Sequence, residues 1–416
     1  MGLAIACFLL ISNSVFAQST GRIGGTVTDS SGAVVPNAGI SCRNVDTGIS
    51  RTVQTNASGL FEFPDLSIGQ YELNFTKDGF QPQKMDKVTL VTGQIMDLKI
   101  QLKVGDSKQS VTVTSEAPLV QTTSSSVQAS VTVAQMQDLP LNGRNALQLT
   151  TLTPGTAITD VGTESGQQDN RGLTVNGLRA TQNNFQLDGT IYNDRFFDSV
   201  PTMPDPDALQ EFTIQSSNFS AEYGGAGALV QLSTRSGTNE LHGTAFEFLR
   251  NTDLNAKNFF ALKLPPYHQN QFGGTVGGPI KKNRTFFFFS AQDTQRRSAP
   301  NPVSITTPTA AQRTGDFSGL LPKVITDPSN GNAPFPGNII PTARLDQVSV
   351  KVANALLPLP NSGTQWVGSA NQNLDDTQYL VKIDHMVTQN NHLSGRYSAR
   401  GASHWQPLRR PDQAWR

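Results

Sequence analysis

Five histidines, His242, His268, His385, His392 and His404, are the residues best suited to acid–base or metal chemistry. None stands in a His-Glu-x-x-His or Cys-x-x-Cys frame, so no zinc site is expected. His385 and His392 flank an expected hairpin turn, where such a pair is ordinarily surface. Gly-x-Ser-x-Gly and a phosphate-cradling Gly-x-x-x-x-Gly-Lys-Ser/Thr are absent, and carboxylates such as Asp205 and Asp207 occur only as loop residues. No catalytic residue, cofactor site or metal site is assigned, and the chain is expected not to be an enzyme. What remains is binding chemistry. Val111-Thr112-Val113-Thr114 is a short β-forming run suited to recruitment by strand addition, in which main-chain hydrogen bonds supply the affinity. Many linkers carry the same pattern, so docking strand and linker both stay open for it.

The elements that must position these residues are set by composition. The chain has 416 residues, with 32 Lys plus Arg against 32 Asp plus Glu, a balance that argues against a basic nucleic-acid binder. Apolar residues make up 36% and charged residues 15%; the surplus is Thr, Ser, Gln and Asn, with 36 Gly and 24 Pro. Gly and Pro break helices, and Ser, Thr and Asn compete for their backbone hydrogen bonds, so a mainly β chain is expected.

Met1 to Ala17 reads as a secretory signal, residues 1–17, with an apolar stretch too short to span a bilayer and small residues before an expected cleavage at Gln18. No Lys or Arg precedes the apolar stretch, so the natural start is expected to lie upstream. Cys42 is then the sole mature cysteine, so no intrachain disulfide is expected.

Residues 18–104 alternate with a two-residue period between turn signals: Ile23, Gly25 and Val27, then Phe61 and Phe63, then Tyr71, Leu73 and Phe75. Strands at this spacing imply an antiparallel sandwich. Gly25-x-Val27-x-Asp29-x-x-Gly32, Val35-Pro36-x-Ala38, Thr55-Asn56-x-x-Gly59-x-Phe61-x-Phe63 and Gly79-Phe80 resemble the carboxypeptidase regulatory-like, transthyretin-like domain, a name that implies no peptidase activity. Similar sandwiches bind carbohydrate, but no exposed Trp pair is present here to stack on a sugar.

Residues 105–118 form a linker around Val111 to Thr114. Its place and character resemble the energy-coupling box ahead of the plug in TonB-dependent outer-membrane receptors. Residues 119–235 strengthen that resemblance: Leu139-Pro140-Leu141-Asn142-Gly143-Arg144-Asn145, Arg171-Gly172-x-x-Val175-Asn176-Gly177, Phe185-x-Leu187-Asp188-Gly189, Asp207-Ala208-Leu209-Gln210-Glu211-Phe212 and Ser220-Ala221-Glu222-Tyr223-Gly224-Gly225 are similar, in order, to the α+β plug domain of these receptors, nearest the Oar-like group. Apolar spacing places one short helix before Leu139-Pro140 and another after Asn142, ended at Pro154. Arg171, Asp188, Glu211 and Glu222 are the candidates for polar contacts between plug and barrel wall; solvated surface charge is the competing reading.

Residues 236–416 alternate in a manner that fits lipid on one face and water on the other, as in a membrane barrel, although a half-exposed soluble sheet gives the same pattern. The clearest runs are His242 to Phe248, Tyr379 to Asp384 and Leu393 to Arg400. Phe286 to Phe289 suit an interfacial aromatic girdle. Phe272-Gly273-Gly274-Thr275-Val276-Gly277-Gly278-Pro279 resembles the early hairpin of the Oar-like barrel. Residues 298–376 are Pro-rich and expected to be a long, mostly irregular excursion, either ligand-contacting or merely flexible. Outside it, at about 9–11 residues per strand, the stretch makes only about five strands, the first part of a barrel that cannot close. The resemblance thus implies an outer-membrane receptor or transporter fragment, exported to the cell outer membrane, with TonB and outer-membrane lipid as partners. It implies an extracellular ligand such as an oligosaccharide or peptide, and no nucleic acid. As it stands the chain is expected not to transport. The rival is a non-transporting surface protein that binds carbohydrate or protein; a secreted accessory module is a weaker third.

Overall fold

The computed structural model describes residues 20–105, 111–114, 126–160, 171–193, 203–219, 223–224, 227–257, 259, 264–299, 303–368, 372–388 and 391–405. The signal expected over 1–17 lies outside them. The chain is mainly β and divides into two compact units: Met1–Phe246 with Gly273–Gln292 and Gln378–Arg400, and Glu247–Phe272 with Asp293–Thr377 and Gly401–Arg416.

The first unit begins with a two-sheet sandwich. Its strands are β1 (Thr20–Asp29), β2 (Gly39–Asn44), β3 (Ser50–Gln54), β4 (Leu60–Ser67), β5 (Gly69–Thr76), β6 (Gln83–Leu90), β7 (Ile95–Leu102) and β8 (Val111–Thr114). One sheet has the order β4-β1-β7 and the other β3-β2-β5-β6-β8. Alternation drives every second side chain inward, so Ile23, Val27, Phe61, Phe63, Leu73, Phe75, Met96, Leu98 and Ile100 form the core between the sheets. Phe61 meets Phe63 and Phe75 edge-on, with ring centres 6.2 and 5.7 Å apart. Two pairings depart from the antiparallel expectation: β1 runs parallel to β7, and β6 parallel to β8. Gly25 permits the first, because a Cβ there would lie 2.0 Å from the Leu98 carbonyl oxygen.

The plug follows with β9 (Val127–Thr132), α1 (Val133–Asp138), β10 (Thr156–Asp160), β11 (Arg171–Val175), β12 (Asn184–Leu187), β13 (Thr190–Ile191), β14 (Leu209–Ser217) and β15 (Leu229–Thr234). α1 starts where the Thr132 side chain accepts from the Gln135 N–H and Gln135 reciprocates, and it stops at Leu139, before a proline that disfavours helix. The second expected helix forms as a 3-10 turn over Ala146–Leu152, capped by Asn145. The main sheet has the order β13-β12-β15-β14-β9, with β10 and β11 as a separate hairpin. All six residues of β15 are buried, including Gln231, Ser233 and Thr234.

The wall is a five-stranded sheet of order β16-β17-β18-β23-β24, where β16 is His242–Asn251, β17 Tyr267–Lys281, β18 Thr285–Ser298, β23 Gln372–Met386 and β24 His392–Trp405. Tyr379, Val381 and Ile383 are exposed while Lys382 and Asp384 are buried, so the apolar face points outward and the polar face inward. The four-phenylalanine run does not form one girdle. A strand's two-residue period turns Phe286 and Phe288 inward, where they are buried, and leaves Phe289 outside.

The second unit holds β19 (Val303–Thr306), α2 (Ala310–Arg313), β20 (Thr326–Asp327), β21 (Ala333–Pro334), α3 (Gln347–Leu356) and β22 (Gln365–Gly368). The stretch expected to be mostly irregular carries these short elements between its turns. Asp346 caps α3 by accepting from the Val348 and Ser349 N–H groups. At the other end Arg313 donates to the carbonyls of Ala353, Leu357 and Pro358 at 2.9–3.1 Å. One guanidinium so bonds carbonyls at and just beyond the helix C-terminus, where positive charge is favoured.

Candidate functional site

Charged side chains converge where the plug meets the wall. Asp188 follows β12 in a tight turn with φ of 49°, a left-handed conformation that Asp tolerates better than most residues. The turn sets its carboxylate against β15, where it accepts from the Thr234 N–H at 2.8 Å and the Thr234 hydroxyl at 2.7 Å. From the wall, Arg396 of β24 donates to Asp188 Oδ2, and Lys382 Nζ of β23 lies 3.7 Å from Oδ1. Lys382 also donates to the Thr234 carbonyl at 3.2 Å. Both cations occupy inward positions of strands whose alternate residues face out, so the wall presents positive charge to a plug carboxylate. All three side chains are at most 18% exposed, and removing Asp188 would leave two buried cations without the carboxylate they share.

A second cluster centres on Arg144, in the turn Asn142–Arg144 whose Gly143 has φ of 71°. Its Nη2 donates to Asp205 Oδ1 at 2.9 Å and also to Asp207 Oδ2. Its Nε donates to Gln292 of β18 at 3.3 Å, and its guanidinium carbon sits 4.0 Å from the centre of the Phe246 ring. Ser290, also on β18, donates to Asp205 at 3.3 Å, and Gln137 of α1 donates to Asp207 at 3.0 Å. Burial pushes the Asp205 carboxyl up from its ordinary value, opposed by the hydrogen bond and charge of Arg144. The cluster thus pins the Pro206–Ala208 turn, which leads into β14, against the wall.

The sandwich is moored at two places. At the β6–β7 turn, the Thr92 N–H donates to the Glu211 carboxylate, the Thr92 and Ser233 hydroxyls are 2.8 Å apart, and Gln128 donates to the Thr92 carbonyl at 3.1 Å. Burial pushes the Glu211 carboxyl up, the bonds from Thr92 acting the other way. At the β2–β3 turn, Asn239 donates from its N–H to the Asp46 carbonyl at 3.0 Å and from its side chain to the Thr47 carbonyl at 2.7 Å. Asn239 is also bonded to Asn283, in the turn between β17 and β18. Between these moorings lies a cleft of about 760 Å³, lined among others by Asp46, Arg51, Tyr71, Asp188, Lys382 and Arg396.

Of the residues singled out by sequence, Asp188 faces the wall and Glu211 faces the sandwich. Arg171 begins β11 opposite Asp160, its side chain outside the described residues, as is Glu222. Val111 to Thr114 form β8, in parallel register with Gln83 to Asp86 of β6. Sequence reasoning missed Thr92, Arg144, Lys382 and Arg396; Asp205 and Asp207 do stand in a turn, as expected, but buried and bonded to Arg144. The strand alternation carried a signal for Lys382 and Arg396, and the Leu-Asn-Gly-Arg turn one for Arg144; nothing marked Thr92. Among the described residues, no group of three or more His, Cys, Asp or Glu side chains converges as a metal site would require.

Three family models match in succession: a carboxypeptidase regulatory-like domain over residues 22–103, a TonB-dependent receptor plug domain over 119–229 and an outer membrane beta barrel domain over 233–413. The TonB-dependent transporter Oar of Myxococcus xanthus is 25% identical over 304 residues, 69% of this chain; the chain spans 28% of that relative's length. A ferric enterobactin receptor mutant from Pseudomonas aeruginosa superposes with a TM-score of 0.39 at 14% identity, covering 67% of this chain and 33% of that one. A streptococcal ancillary pilin superposes with a TM-score of 0.17 at 15% identity, over 21% of this chain and 33% of the pilin.

Proposed function

We propose that this chain, which belongs to the TonB-dependent receptors, supplies the coupling and gating parts of an Oar-like transporter in the cell outer membrane. In this reading a substrate binds on the outer side, the plug occludes the barrel, and the inner-membrane protein TonB recruits Val111 to Thr114 by strand addition. The observation that carries the reading is the grip of wall cations Arg396 and Lys382 on the plug carboxylate Asp188. Such contacts hold a plug in a lumen yet can be exchanged for water when the plug moves, unlike a continuous apolar interface.

The plug's connectivity supports the same reading. Tension applied at 111–114 passes along the chain to Val127, the first residue of β9. Among the described residues β9 is the outermost strand of the plug sheet, paired with β14 from Ser217 to Glu211. An edge strand can be peeled one pair at a time without disrupting the rest of its sheet. Peeling it also strips the side of β14 that carries Glu211, the residue that holds Thr92. Oligosaccharide and peptide both stay within the proposed substrate range, and the role is transport rather than catalysis.

The test is crosslinking in cells that make the full-length gene product, with a cysteine placed at Thr112 and another in the strand-forming segment of TonB. Disulfide formation that follows a one-residue register supports the reading. Absence of crosslinks at every register, in protein recovered from the outer-membrane fraction, would overturn it.

A further inference from the structure

The two faces of the plug sheet differ in kind. One carries Val131, Phe212, Ile214, Val230 and Leu232, which join the plug core. The other is polar yet equally buried: Glu211, Thr213 and Gln215 of β14, Gln231 and Ser233 of β15 and Gln186 of β12 are each at most 7% exposed. Gln215 donates to Gln231 at 3.4 Å and Gln231 to Gln186 at 3.3 Å, so a ladder of amides crosses three strands. The β6–β7 turn of the sandwich sits on this face. The Thr92 N–H donates to Glu211, and the Thr92 hydroxyl meets that of Ser233. At Gly93, where φ is 69°, a Cβ would lie 3.2 Å from Gln215 Nε2 and 3.3 Å from Gln231 Oε1. A face that stays covered is ordinarily filled with apolar side chains, as the opposite one is. This one can be wetted at little cost. Among the described residues Gln128 Oε1, Ser130 Oγ and Thr213 Oγ1 are buried there without a hydrogen-bond partner, and each such atom opposes burial.

We propose that the sandwich is a reversible latch on the plug, in which seating of the β6–β7 turn and closure of the Asp188 contacts with the wall stabilise each other. This rests on the reading of those contacts as the hold of the wall on the plug, and it adds what regulates them. The coupling runs through Ser233 and Thr234, the last two residues of β15. Ser233 meets Thr92, while Thr234 gives its N–H and its hydroxyl to Asp188 and its carbonyl to Lys382. The strand end is so fixed by the sandwich through one residue and by Asp188 with its wall cations through the next. Lifting the turn frees that end, and with it the N–H that orients the carboxylate towards Arg396.

The experiment is amide hydrogen exchange on the purified full-length gene product, without TonB, so that it does not depend on recruitment at 111–114. Thr92→Ala removes the hydroxyl contact from the sandwich side, and Gly93→Leu wedges the turn off Gln215 and Gln231. Both should speed exchange of the Thr234 amide, whose acceptor is Asp188, by about fivefold or more. Coupling of this kind is reciprocal, so Asp188→Ala should speed exchange of the Thr92 amide, whose acceptor is Glu211. Exchange in β1 and β5 of the sandwich and in the β10–β11 hairpin of the plug should stay at the parent rate. Unchanged exchange at Thr234 in both sandwich variants, unchanged exchange at Thr92 in Asp188→Ala, or acceleration only in step with β1, β5 and the hairpin would overturn the proposal. Recruitment of TonB stands or falls separately, on the crosslinks at Thr112.

Discussion

The hydroxyl of Thr92, at the tip of the β6–β7 turn, lies 2.8 Å from that of Ser233 on the plug strand β15. Through that buried contact the sandwich is attached to the plug sheet, and Glu211 beside it accepts from the Thr92 N–H.

The Glu211 carboxyl is raised by burial, so the folded state binds its proton more tightly than the unfolded state does. Ionisation therefore costs stability, and the cost grows as pH rises from the ordinary glutamate value through the raised one. Glu211→Gln keeps an acceptor for the Thr92 N–H without the charge, and should flatten this pH dependence while leaving stability at neutral pH unchanged or higher. Glu211→Ala leaves the Thr92 N–H buried and unpaired and should cost about 1–3 kcal/mol. Denaturant unfolding at several pH values reads both.

Arg144 holds two buried carboxylates, and neither can be left alone cheaply. Arg144→Ala should destabilise the plug by about 3–5 kcal/mol. Arg144→Lys keeps the charge but not the planar fork that reaches Asp205, Asp207 and Gln292 together, and should recover only part of the loss. Thermal unfolding of the two variants against the parent gives the ordering.

Asp188→Asn removes the charge that Arg396 and Lys382 share and leaves both cations facing a neutral side chain. Proteolytic cleavage within the plug should become faster. Added salt should speed cleavage in the parent more than in the variant, since only the parent has this attraction to screen. Equal rates in both chains would mean that Asp188 does not hold the plug to the wall.

Gly48 has φ of 69°, and a Cβ there would lie 2.3 Å from Asn283 Oδ1 and 3.0 Å from Asn239 Nδ2. Gly48→Ala should loosen the sandwich from the β17–β18 turn while its core stays intact. Faster amide exchange at Asn239 and Asn283, with unchanged exchange in β1 and β5, is the expected pattern.

Cys42 is buried in the sandwich core, and burial pushes its thiol up to about 12. It should resist alkylation at pH 8 in the folded chain and react once denatured. Rapid labelling of the native protein would mean the core is open.

Sequence alternation made the sandwich core and the inward and outward faces of β23 legible, because a period of two maps directly onto the faces of a strand. The same rule, applied fully, would have split Phe286 to Phe289 between two faces. The parallel placement of β1 beside β7 was not readable, since it depends on long-range pairing that Gly25 permits but does not announce. Asp188 and Glu211 were recognisable as plug charges, yet their partners Arg396 and Thr92 stand 208 and 119 residues away along the chain, and no local pattern links them. The capped helix α3 was hidden for a similar reason: its C-terminal end is held by Arg313, about forty residues upstream.

If force applied at residues 111–114 remodels the plug, release begins at the edge strand β9. Val131 is 3% exposed within that strand, so a cysteine there is a reporter of its release. Cells making the full-length gene product with Val131→Cys should label with a membrane-excluded thiol reagent in the periplasm only when TonB and the proton-motive force are both present. Labelling that is equal with and without TonB, or equal before and after an uncoupler, would mean that β9 is not released by force on 111–114.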